Sequence, residues 1–396
     1  MRSIKIRTEA RPLLSQKKKI SIEIFAVIIA IVASMIVIGC MGKNPFKVYQ
    51  KIIEGSLGNF YRFKQTINKT IPLVVLGLGT CMAFKMKFWN IGGEGQFYMG
   101  AFAATWVVMA MPNLPAFVMI PLMMIAGFVF GGLLALIPVG LKVKWGTSET
   151  LVTLMLNYIA QKWVSFLKYS YLPWRDPHGG GSPKIANFGS NAIMPNVFGI
   201  HMGWIIALVL VVIIFLVLKR TKFGYEMSVI GESIQTAKYA GINVNRTMIF
   251  AILISGGLCG LAGMMQASAI EHSLTDNMSN GMGFMAVITT WLSQLNPIVN
   301  LVVSFLFSML LQGGSFLQTS MNIPASMGNI IQTIIIFFVL GSEFFVRYKL
   351  VFDITGKNGE KIVIVNPFEK VSMATSKVTN KVINKIKVKI GKGEEK

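Results

Sequence analysis

Acidic, imidazole and thiol groups are scarce in this 396-residue sequence, which has 16 Asp+Glu, 3 His and 3 Cys. So few carboxylates and imidazoles leave little acid/base chemistry, and no nucleophile–base set follows from the sequence, so no catalytic residues are predicted. Cys40, Cys81 and Cys259 lie in apolar stretches, and none has CxxC or CxxH spacing. Neither a disulfide framework nor a metal site follows from them, and no cofactor is predicted.

The sequence also lacks a nucleotide-binding phosphate loop, because G-x-x-x-x-G-K-[S/T] occurs nowhere in it. Any energy from a nucleotide must therefore come from another subunit. Intramembrane carboxylates are few as well: only Glu23, Glu94, Glu149 and Glu343 lie in or beside apolar runs. Their small number argues against a proton relay through the chain.

Apolar residues dominate instead, at 53% of the sequence, with a mean hydropathy of +0.61. The run 20–41 is long enough to cross a bilayer and follows seven Lys/Arg, which predicts an anchored first span rather than a cleaved signal peptide. Further apolar runs occur at about 71–84, 97–111, 117–141, 148–172, 203–218, 248–270, 283–295, 298–312 and 326–346. Several are short and interrupted by glycine, as in transporters with broken or re-entrant helices. The predicted fold class is an all-α integral membrane protein of about ten transmembrane helices, some of them broken or re-entrant.

The positions of the basic residues account for the formal net charge of +22. With the N-terminus inside the cell and ten alternating spans, about 28 Lys/Arg fall on the cytoplasmic side and 8 outside, as expected for a membrane protein. A basic face beside anionic lipid therefore explains the charge, and no nucleic-acid partner is predicted. Both termini are predicted to be cytoplasmic. The segment 42–70, with six basic residues in an outer loop, is the exception.

This topology divides the chain into a basic cytoplasmic arm at 1–19, a transmembrane domain at 20–348 and a Lys-rich cytoplasmic tail at 349–396. The transmembrane domain contacts membrane lipid. The tail follows no clean helical or strand period, which predicts a flexible or peripherally attached extension.

The longest cytoplasmic connection, 219–247, reads KRTKFGYEMSVIGESIQTAKYAGINVNRT and is too polar to span a membrane. It predicts a helix over about 226–240 with Ile230, Ile234 and Ala237 on its apolar face. Gly241 stands at the position typical of a glycine that ends a helix. Such a helix is suited to docking a cytoplasmic partner. A helix lying among the lipid headgroups is the alternative.

A glycine-rich segment, FWNIGGEGQFYMG, lies between two apolar runs at 88–100. It places Asn90, Glu94 and Gln96 where lipid would penalise polar groups, because an ionised Glu at the bilayer centre costs at least ~2.5 kcal/mol. Glu94 is therefore predicted to face a cavity, a backbone partner or water. The alternative is a turn at the cytoplasmic surface in which these residues cap the next helix.

The run TSETLVTLMLNYIAQKWVSFLK, from Thr147, predicts a helix with one polar stripe. The stripe consists of Thr150, Thr153, Asn157, Gln161, Ser165 and Lys168. A polar row this long in a spanning helix favours a substrate pathway, with a hydrogen-bonded helix–helix interface as the alternative. Further along, SGGLCGLAG places Gly256, Gly260 and Gly263 on one face, which predicts close helix packing.

The chain resembles the permease subunits of bacterial ABC importers in three motifs: FWNIGGEGQFYMGA, TSETLVTLMLNYIA and IGESIQTAKYAGINVNRTMIFAILISGGLCGLAG. It is similar to the branch shared by branched-chain amino acid, simple-sugar and nucleoside systems, over about 20–348, and most of all to nucleoside-type permeases. The resemblance implies a type II-like importer permease fold in a bacterial cell membrane. It also implies three partners: a cytoplasmic ABC ATPase, a second permease subunit and an external substrate-binding lipoprotein.

The resemblance also implies roles for individual residues. The coupling loop that contacts the ATPase corresponds to Gly231, Glu232, Ala237, Lys238, Gly241 and Ile242. Near the substrate path lie Asn90, Glu94, Gln96, Asn157 and Tyr158, to which the polar stripe adds Thr150, Thr153 and Gln161. The Lys-rich tail and the basic 42–70 segment depart from the family's pattern.

The expected function is a non-catalytic permease subunit that forms the pathway for nucleosides or a simple sugar and is gated by a separate ATPase. A row of hydroxyls and amides with few fixed charges suits such a neutral solute. The alternative is an ion-coupled secondary transporter of a small neutral solute.

Overall fold

The computed structural model describes residues 3–10, 16–169, 174–176, 184–322, 348–355 and 361–365, with short helical stretches between 330 and 342. The elements in chain order are β1 (Ser3–Ala10), α1 (Gln16–Cys40), α2 (Pro45–Leu57), α3 (Phe60–Lys85), α4 (Gly93–Ala110), α5 (Ala116–Trp145), α6 (Glu149–Tyr169), β2 (Asn196–Val197), β3 (Ile200–His201), α7 (Gly203–Arg220), α8 (Lys222–Glu232), α9 (Ile234–Tyr239), α10 (Val244–Gln266), α11 (Met282–Leu292), α12 (Pro297–Met321), β4 (Tyr348–Thr355) and β5 (Lys361–Val365). They divide into two compact units, one of Met1–Phe46 with Ile330–Lys396 and one of Lys47–Asn329.

Within these described ranges, five helices are long and apolar enough to cross a membrane, or six if α1 and α2 form one span. The five are α3, α5, α7, α10 and α12. The predicted number of ten is not confirmed. Helices α4 and α6 form where spans were predicted but are less apolar, α11 has only 11 residues, and the run 326–346 lies largely outside the described residues.

The centre of the helical unit is α10, which packs against α5, α4 and α3. A Cβ added at Gly260 would overlap the carbonyl oxygen of Gly127 and lie 2.9 Å from the Cα of Gly131, and one at Gly263 would overlap the carbonyl oxygen of Phe97. The absence of side chains at these positions lets the helix backbones touch. The predicted small-residue face on this helix is confirmed.

The basic segment 42–70 is helical rather than an outer loop, because α2 and the first turns of α3 occupy it. Its charges have local partners. Lys51 Nζ lies 2.7 Å from the Glu54 carboxylate, and Arg62 donates to the Glu54 carbonyl oxygen at 3.0 Å. The Arg62 guanidinium also lies 4.0 Å from the centre of the Phe316 ring in α12. Helix α2 and the start of α3 therefore occupy most of the predicted loop, while the outer location of this segment stays a prediction.

The two ends of the chain form an antiparallel three-stranded sheet in the order β1–β4–β5. Strand β1 pairs with β4 from Ser3↔Thr355 to Ala10↔Tyr348, and β4 pairs with β5 from Val351↔Val365 to Thr355↔Lys361. The all-α prediction is therefore wrong for these three segments, and so is the absence of a strand period in the tail at 348–355 and 361–365. The flexible or peripheral attachment of the tail stays a prediction. The alternation in SIKIRTEA and YKLVFDIT is the strand signal that the sequence contains.

Candidate functional site

The candidate site begins at the break between α3 and α4. Lys87 has a positive φ of 54°, and Asn90 Oδ1 accepts a hydrogen bond from the Gly92 amide at 3.0 Å, which closes a tight turn. Gly92 is the N-cap of α4 and has no side chain to cap the helix. The exposed amides of the first turn of α4 must therefore find acceptors elsewhere.

The side-chain amides of Asn90 and Gln96 are hydrogen-bonded to each other in the protein interior. Asn90 Nδ2 donates to Gln96 Oε1 at 3.2 Å, and Gln96 Nε2 donates to Asn90 Oδ1 at 3.0 Å. Asn90 Nδ2 also lies 3.2 Å from Ser255 Oγ in α10. The two amides are 2% and 1% exposed, so the turn is attached to α10 by a buried polar network whose members are paired.

Asn157 attaches the same turn to α6. Its Oδ1 accepts a hydrogen bond from the Gly95 amide at 2.8 Å, and its Nδ2 donates to the Ile91 carbonyl oxygen at 2.9 Å. One buried side chain thus supplies both an acceptor for α4 and a donor for the turn that precedes it. The Asn157 side chain is part of a helix–helix interface, which was the alternative for the polar stripe.

Glu94 lies at the first turn of two helices. It belongs to the first turn of α4, and its carboxylate accepts hydrogen bonds from Ser279 Oγ and from the Gly283 amide at 2.8 Å. Gly283 is in the first turn of α11. Helix N-termini stabilise negative charge through their unpaired amides and dipoles. The Glu94 carboxylate is only 4% exposed, and its donors among the described residues include one hydroxyl and one backbone amide.

The network continues to the loop before α11. Tyr98 Oη donates to the Asp276 carbonyl oxygen at 2.9 Å and lies 3.2 Å from Ser279 Oγ. The Asp276 carboxylate is 3.2 Å from Lys168 Nζ near the end of α6. The loop between α10 and α11 is thereby held to both α4 and α6.

The structure thus brings four of the predicted pathway residues together and separates another. Asn90, Glu94, Gln96 and Asn157 form one buried cluster. Tyr158 lies on the opposite face of α6 and is 63% exposed.

The remaining predicted members of the stripe flank this cluster. Thr153 is 1% exposed and lies against Gly92, while Thr150 and Gln161 are half-buried. Glu94 has backbone partners, as one of the sequence-based expectations stated. Asn90 accepts a hydrogen bond from the Gly92 amide at the start of α4, which agrees with the alternative that residues of this segment cap the helix.

Several members of this network were not predicted from the sequence. Ser255 opens a motif interpreted only as a packing face, and Ser279, Gly283 and Asp276 lie some 180 residues from Glu94 and Tyr98 along the chain. Only the pairing of α4 with the loop before α11 brings them together. The tyrosine in FYMG was the one available signal, because a buried phenol needs a hydrogen-bond partner.

The predicted docking helix is two helices in the structure. The backbone breaks at Ser233, which has φ −156° and ψ 120°, and the Ser233 hydroxyl accepts a hydrogen bond from the Thr236 amide at 3.2 Å. Ser233 is therefore the N-cap of a separate helix, α9, which begins after the break from α8. The prediction of one continuous helix over 226–240 is therefore wrong, because a serine at this position caps rather than continues a helix.

The end of α9 agrees with the sequence prediction. Gly241 has φ +73° and donates to the Lys238 carbonyl oxygen at 3.1 Å, while the Ile242 amide donates to the Ala237 carbonyl oxygen at 3.0 Å. These two bonds are those of a Schellman motif, which favours glycine at the left-handed position. The C-terminal glycine is confirmed.

The predicted coupling residues fall into buried and exposed groups. A Cβ added at Gly231 would overlap the carbonyl oxygen of Lys85 at the end of α3, and Ala237 is 0% exposed. Exposed positions are Glu232, Lys238 and Gly241, and Ile242 is half-buried. The buried pair fixes the loop to the helical unit, and the exposed group is accessible to a partner.

Two large side chains on α9 were not among the predicted contacts. Tyr239 is 93% exposed and Ile234 is 43% exposed. A six-residue helix with two exposed apolar side chains is a small surface suited to a protein partner.

Comparison with known proteins identifies the family. A family model described as the branched-chain amino acid transport system / permease component matches residues 62–340. The chain is 28% identical over 353 residues to the glucose ABC transporter permease protein TsgB13 of Haloferax volcanii, covering 85% of this chain and 91% of that protein. It is also 28% identical to the nucleoside ABC transporter permease protein NupB of Lactococcus lactis, covering 82% and 92% of the two chains.

A third relative, the guanosine ABC transporter permease protein NupP of Bacillus subtilis, is 28% identical over 324 residues and covers 81% of this chain and 93% of that protein. The family match spans α3 to α12 and includes both the buried cluster and the α8–α9 loop. The chain therefore belongs to the family of multi-pass membrane permease components of ABC transporters.

Proposed function

We propose that this permease subunit forms the translocation pathway for nucleosides, or for a simple sugar, in an ATP-binding-cassette importer. The match of the family model over residues 62–340 carries the proposal. Two of the three relatives described above are named as nucleoside or guanosine permeases and one as a glucose permease. A nucleoside combines a sugar with a base, so one neutral, hydroxyl-rich pathway suits both classes of solute.

The partners proposed are a separate ABC ATPase, a second permease subunit and an external substrate-binding lipoprotein. The ATPase is the catalytic component, since the family to which this chain belongs comprises the non-catalytic permease subunits. The cytoplasmic side is proposed for both chain termini and for the α8–α9 loop.

The pairing of β1 with β4 supports an even number of membrane crossings between these two strands, ten in this proposal. The hydrogen bonds between β1 and β4 support placing residues 3–10 and 348–355 on the same side of the membrane. An odd number of crossings between them is incompatible with that pairing. The short helix α11 and the break before α4 are the re-entrant or broken elements of this topology.

The ATPase is proposed to dock on α9. Lys238 and Tyr239 are exposed there, while Gly231 packs against the end of α3 at Lys85 and Ala237 is buried. Motion of the ATPase would thus reach α3 directly, and α3 leads into the turn that contains Asn90. This path connects the docking surface to the buried cluster.

A docking test uses Tyr239→Ser, with Tyr61→Ser as the matched control because Tyr61 is 69% exposed on α3. ATPase that co-purifies with the permease is expected to fall at least tenfold for Tyr239→Ser and to stay within twofold for Tyr61→Ser. Equal retention of the ATPase by both variants would remove α9 from the docking surface.

The substrate test measures uptake of labelled guanosine by cells that express the chain with its ATPase, second permease and lipoprotein. Uptake is expected to be blocked by excess unlabelled nucleoside. Competition by glucose but not by nucleoside would shift the assignment to a sugar. Transport by the purified chain alone, driven by a sodium or proton gradient in liposomes, would replace the importer with a secondary transporter.

A further inference from the structure

The sheet formed by the two chain ends has two chemically distinct faces. Directly opposed residues share a face of a sheet, and alternate residues of a strand share that face as well. The register pairs Ile6 with Phe352 and Phe352 with Ile364. One face therefore collects these positions: Ile4, Ile6, Thr8, Ala10, Tyr348, Leu350, Phe352, Ile354, Ile362 and Ile364. Eight of these ten residues are large and apolar.

The second face is charged. It carries the positions Ser3, Lys5, Arg7, Glu9, Lys349, Val351, Asp353, Thr355, Lys361, Val363 and Val365. On this face Lys5 is opposite Asp353, and Glu9 is opposite Lys349. The sequence alternation and the pairing therefore agree on an amphipathic sheet.

Short connections hold this sheet close to the membrane. Five residues separate β1 from α1, and five separate the helical stretch ending at 342 from β4. A chain of that length spans at most about 20 Å. Helix α1 is 25 residues long and begins with Lys17, Lys18 and Lys19 in its first turns, as expected where a helix enters a layer of headgroups.

The charge of the ends matches an anionic surface. Segments 1–19 and 349–396 contain 18 of the 38 Lys+Arg of the chain but only 6 of its 16 Asp+Glu. After β5, residues 366–396 contain eight Lys and three Glu. Clusters of Lys beside a membrane helix are attracted to anionic headgroups within about a Debye length of the surface.

We propose that the β1–β4–β5 sheet is a membrane-surface module that lies on the anionic leaflet next to α1, with its apolar face among the headgroups and upper acyl chains. An apolar face combined with excess Lys is the composition of interfacial membrane-binding elements. The sheet then anchors both chain ends to the lipid beside the permease, and the Lys-rich segment that follows β5 strengthens the attachment. Anionic lipid is the ligand.

The test compares two neighbouring positions of β4 in the full-length chain. Single cysteines replace Phe352, on the apolar face, or Val351, on the charged face, in a Cys40→Ser background, since Cys81 and Cys259 are buried. Each is labelled with a nitroxide, and the protein is placed in nanodiscs with or without 30% phosphatidylglycerol in phosphatidylcholine. Collision with oxygen, relative to a water-soluble nickel reagent, reports immersion in lipid.

The expected ratio of oxygen to nickel collision is at least threefold higher at 352 than at 351 in anionic nanodiscs, and this difference shrinks when phosphatidylglycerol is omitted. Equal collision ratios at both positions, with both labels accessible to the nickel reagent, would place the sheet in water and overturn the proposal. A label at 352 shielded from both reagents would indicate a covering protein, either the ATPase or a second copy, and would overturn it too.

Two further variants keep the outcome interpretable. Lys5→Cys with Asp353→Cys is expected to form a disulfide readily, whereas Lys5→Cys with Lys349→Cys, four residues out of register, is not. Cross-linking of the first pair and not of the second shows that the sheet forms in the full-length chain with the register used to choose positions 351 and 352. Replacing Lys377, Lys381, Lys385, Lys387 and Lys389 by Gln should preserve the cross-link and reduce the effect of phosphatidylglycerol at least twofold, and an unchanged lipid effect would contradict the role of the tail.

Discussion

Asn157 Oδ1 accepts the hydrogen bond of the Gly95 amide across 2.8 Å and thereby joins the middle of α6 to the first turn of α4. The N-cap of α4 is a glycine without a capping side chain, so a residue 62 positions away performs the capping function. Helix starts leave unpaired amides that cost free energy when buried. The buried cluster is therefore a device that stabilises a broken helix inside the membrane domain.

Replacing Asn157 by Leu leaves the Gly95 amide buried without an acceptor. We expect the variant to lose about 1–3 kcal/mol of stability and to reduce substrate uptake at least tenfold while still inserting into the membrane. The measurements are thermal unfolding in detergent and uptake normalised to protein in the membrane. The neighbouring Tyr158→Leu is the control and should stay within twofold of wild type, because Tyr158 lies on the exposed face. Wild-type uptake by Asn157→Leu would contradict both a pathway and a positioning role.

Glu94→Gln tests whether the carboxylate holds two helix starts together. The Glu94 carboxylate accepts from Ser279 Oγ and from the Gly283 amide, whereas an amide side chain would turn a donor toward one of these donors. We expect a loss of about 1–3 kcal/mol in the free energy of unfolding. Glu54→Gln removes an exposed ion pair with Lys51 and should leave the free energy of unfolding close to that of wild type, because exposed ion pairs contribute little. Equal effects of the two substitutions would be inconsistent with the buried network.

Gly231→Ala tests the contact between α8 and the end of α3. Even a methyl group at this position overlaps the Lys85 carbonyl oxygen, which is backbone and yields only if the two helices move apart. We expect a destabilisation of about 1–3 kcal/mol and a loss of substrate-stimulated ATP hydrolysis in the assembled transporter. The matched control is Gly140→Ala in α5, because a Cβ there meets nothing within 4 Å. That substitution should be neutral or stabilise the helix by about 0.5–1 kcal/mol.

His201 predicts a pH dependence of stability. It belongs to β3, outside the membrane-spanning helices, and burial lowers its pKa to about 4, compared with about 6.5 in an unfolded chain. Between these values the unfolded state binds the proton and the folded state does not. The contribution of neutral His201 to the free energy of unfolding is therefore fully present above pH 6.5. It is lost, by up to about 1.4 kcal/mol per pH unit, as the pH decreases toward 4.

The variant His201→Gln lacks this titration. Its stability relative to wild type should improve by about 2–3 kcal/mol between pH 7 and pH 4.5, measured by thermal unfolding across that range. Parallel pH profiles for the two proteins would show that His201 does not titrate in this window.

The sequence predicted several local features correctly because each depends on neighbours along the chain. Gly241 ends α9, since only a left-handed residue closes a Schellman motif without strain. Gly256, Gly260 and Gly263 form the packing face of α10, since residues three and four apart lie on one face of a helix. The polar stripe of α6 is buried at Thr153 and Asn157 for the same geometric reason.

Other features could not be predicted because they depend on contacts between distant segments. The partners of Glu94 come from the loop before α11, and the partner that pairs with β1 comes from the opposite end of the chain. The alternation in the tail was present, but a strand is stabilised by its neighbour, and a single sequence does not say which neighbour it has. The break at Ser233 depended on whether that serine caps a helix or lies within one, and in the structure its hydroxyl caps α9.

The sequence by itself determined that this is an apolar, multi-pass membrane protein without its own phosphate loop, because the hydrophobic effect and the burial cost of charge act on every residue locally. Its resemblance to ABC permeases rested on three motifs. Only the tertiary structure decided that Asn90, Glu94, Gln96 and Asn157 hold one broken helix in place, and that the basic chain ends are two edges of one sheet. Buried hydrogen bonds require partners at specific distances and angles, and the fold brings those partners together from segments far apart in the sequence.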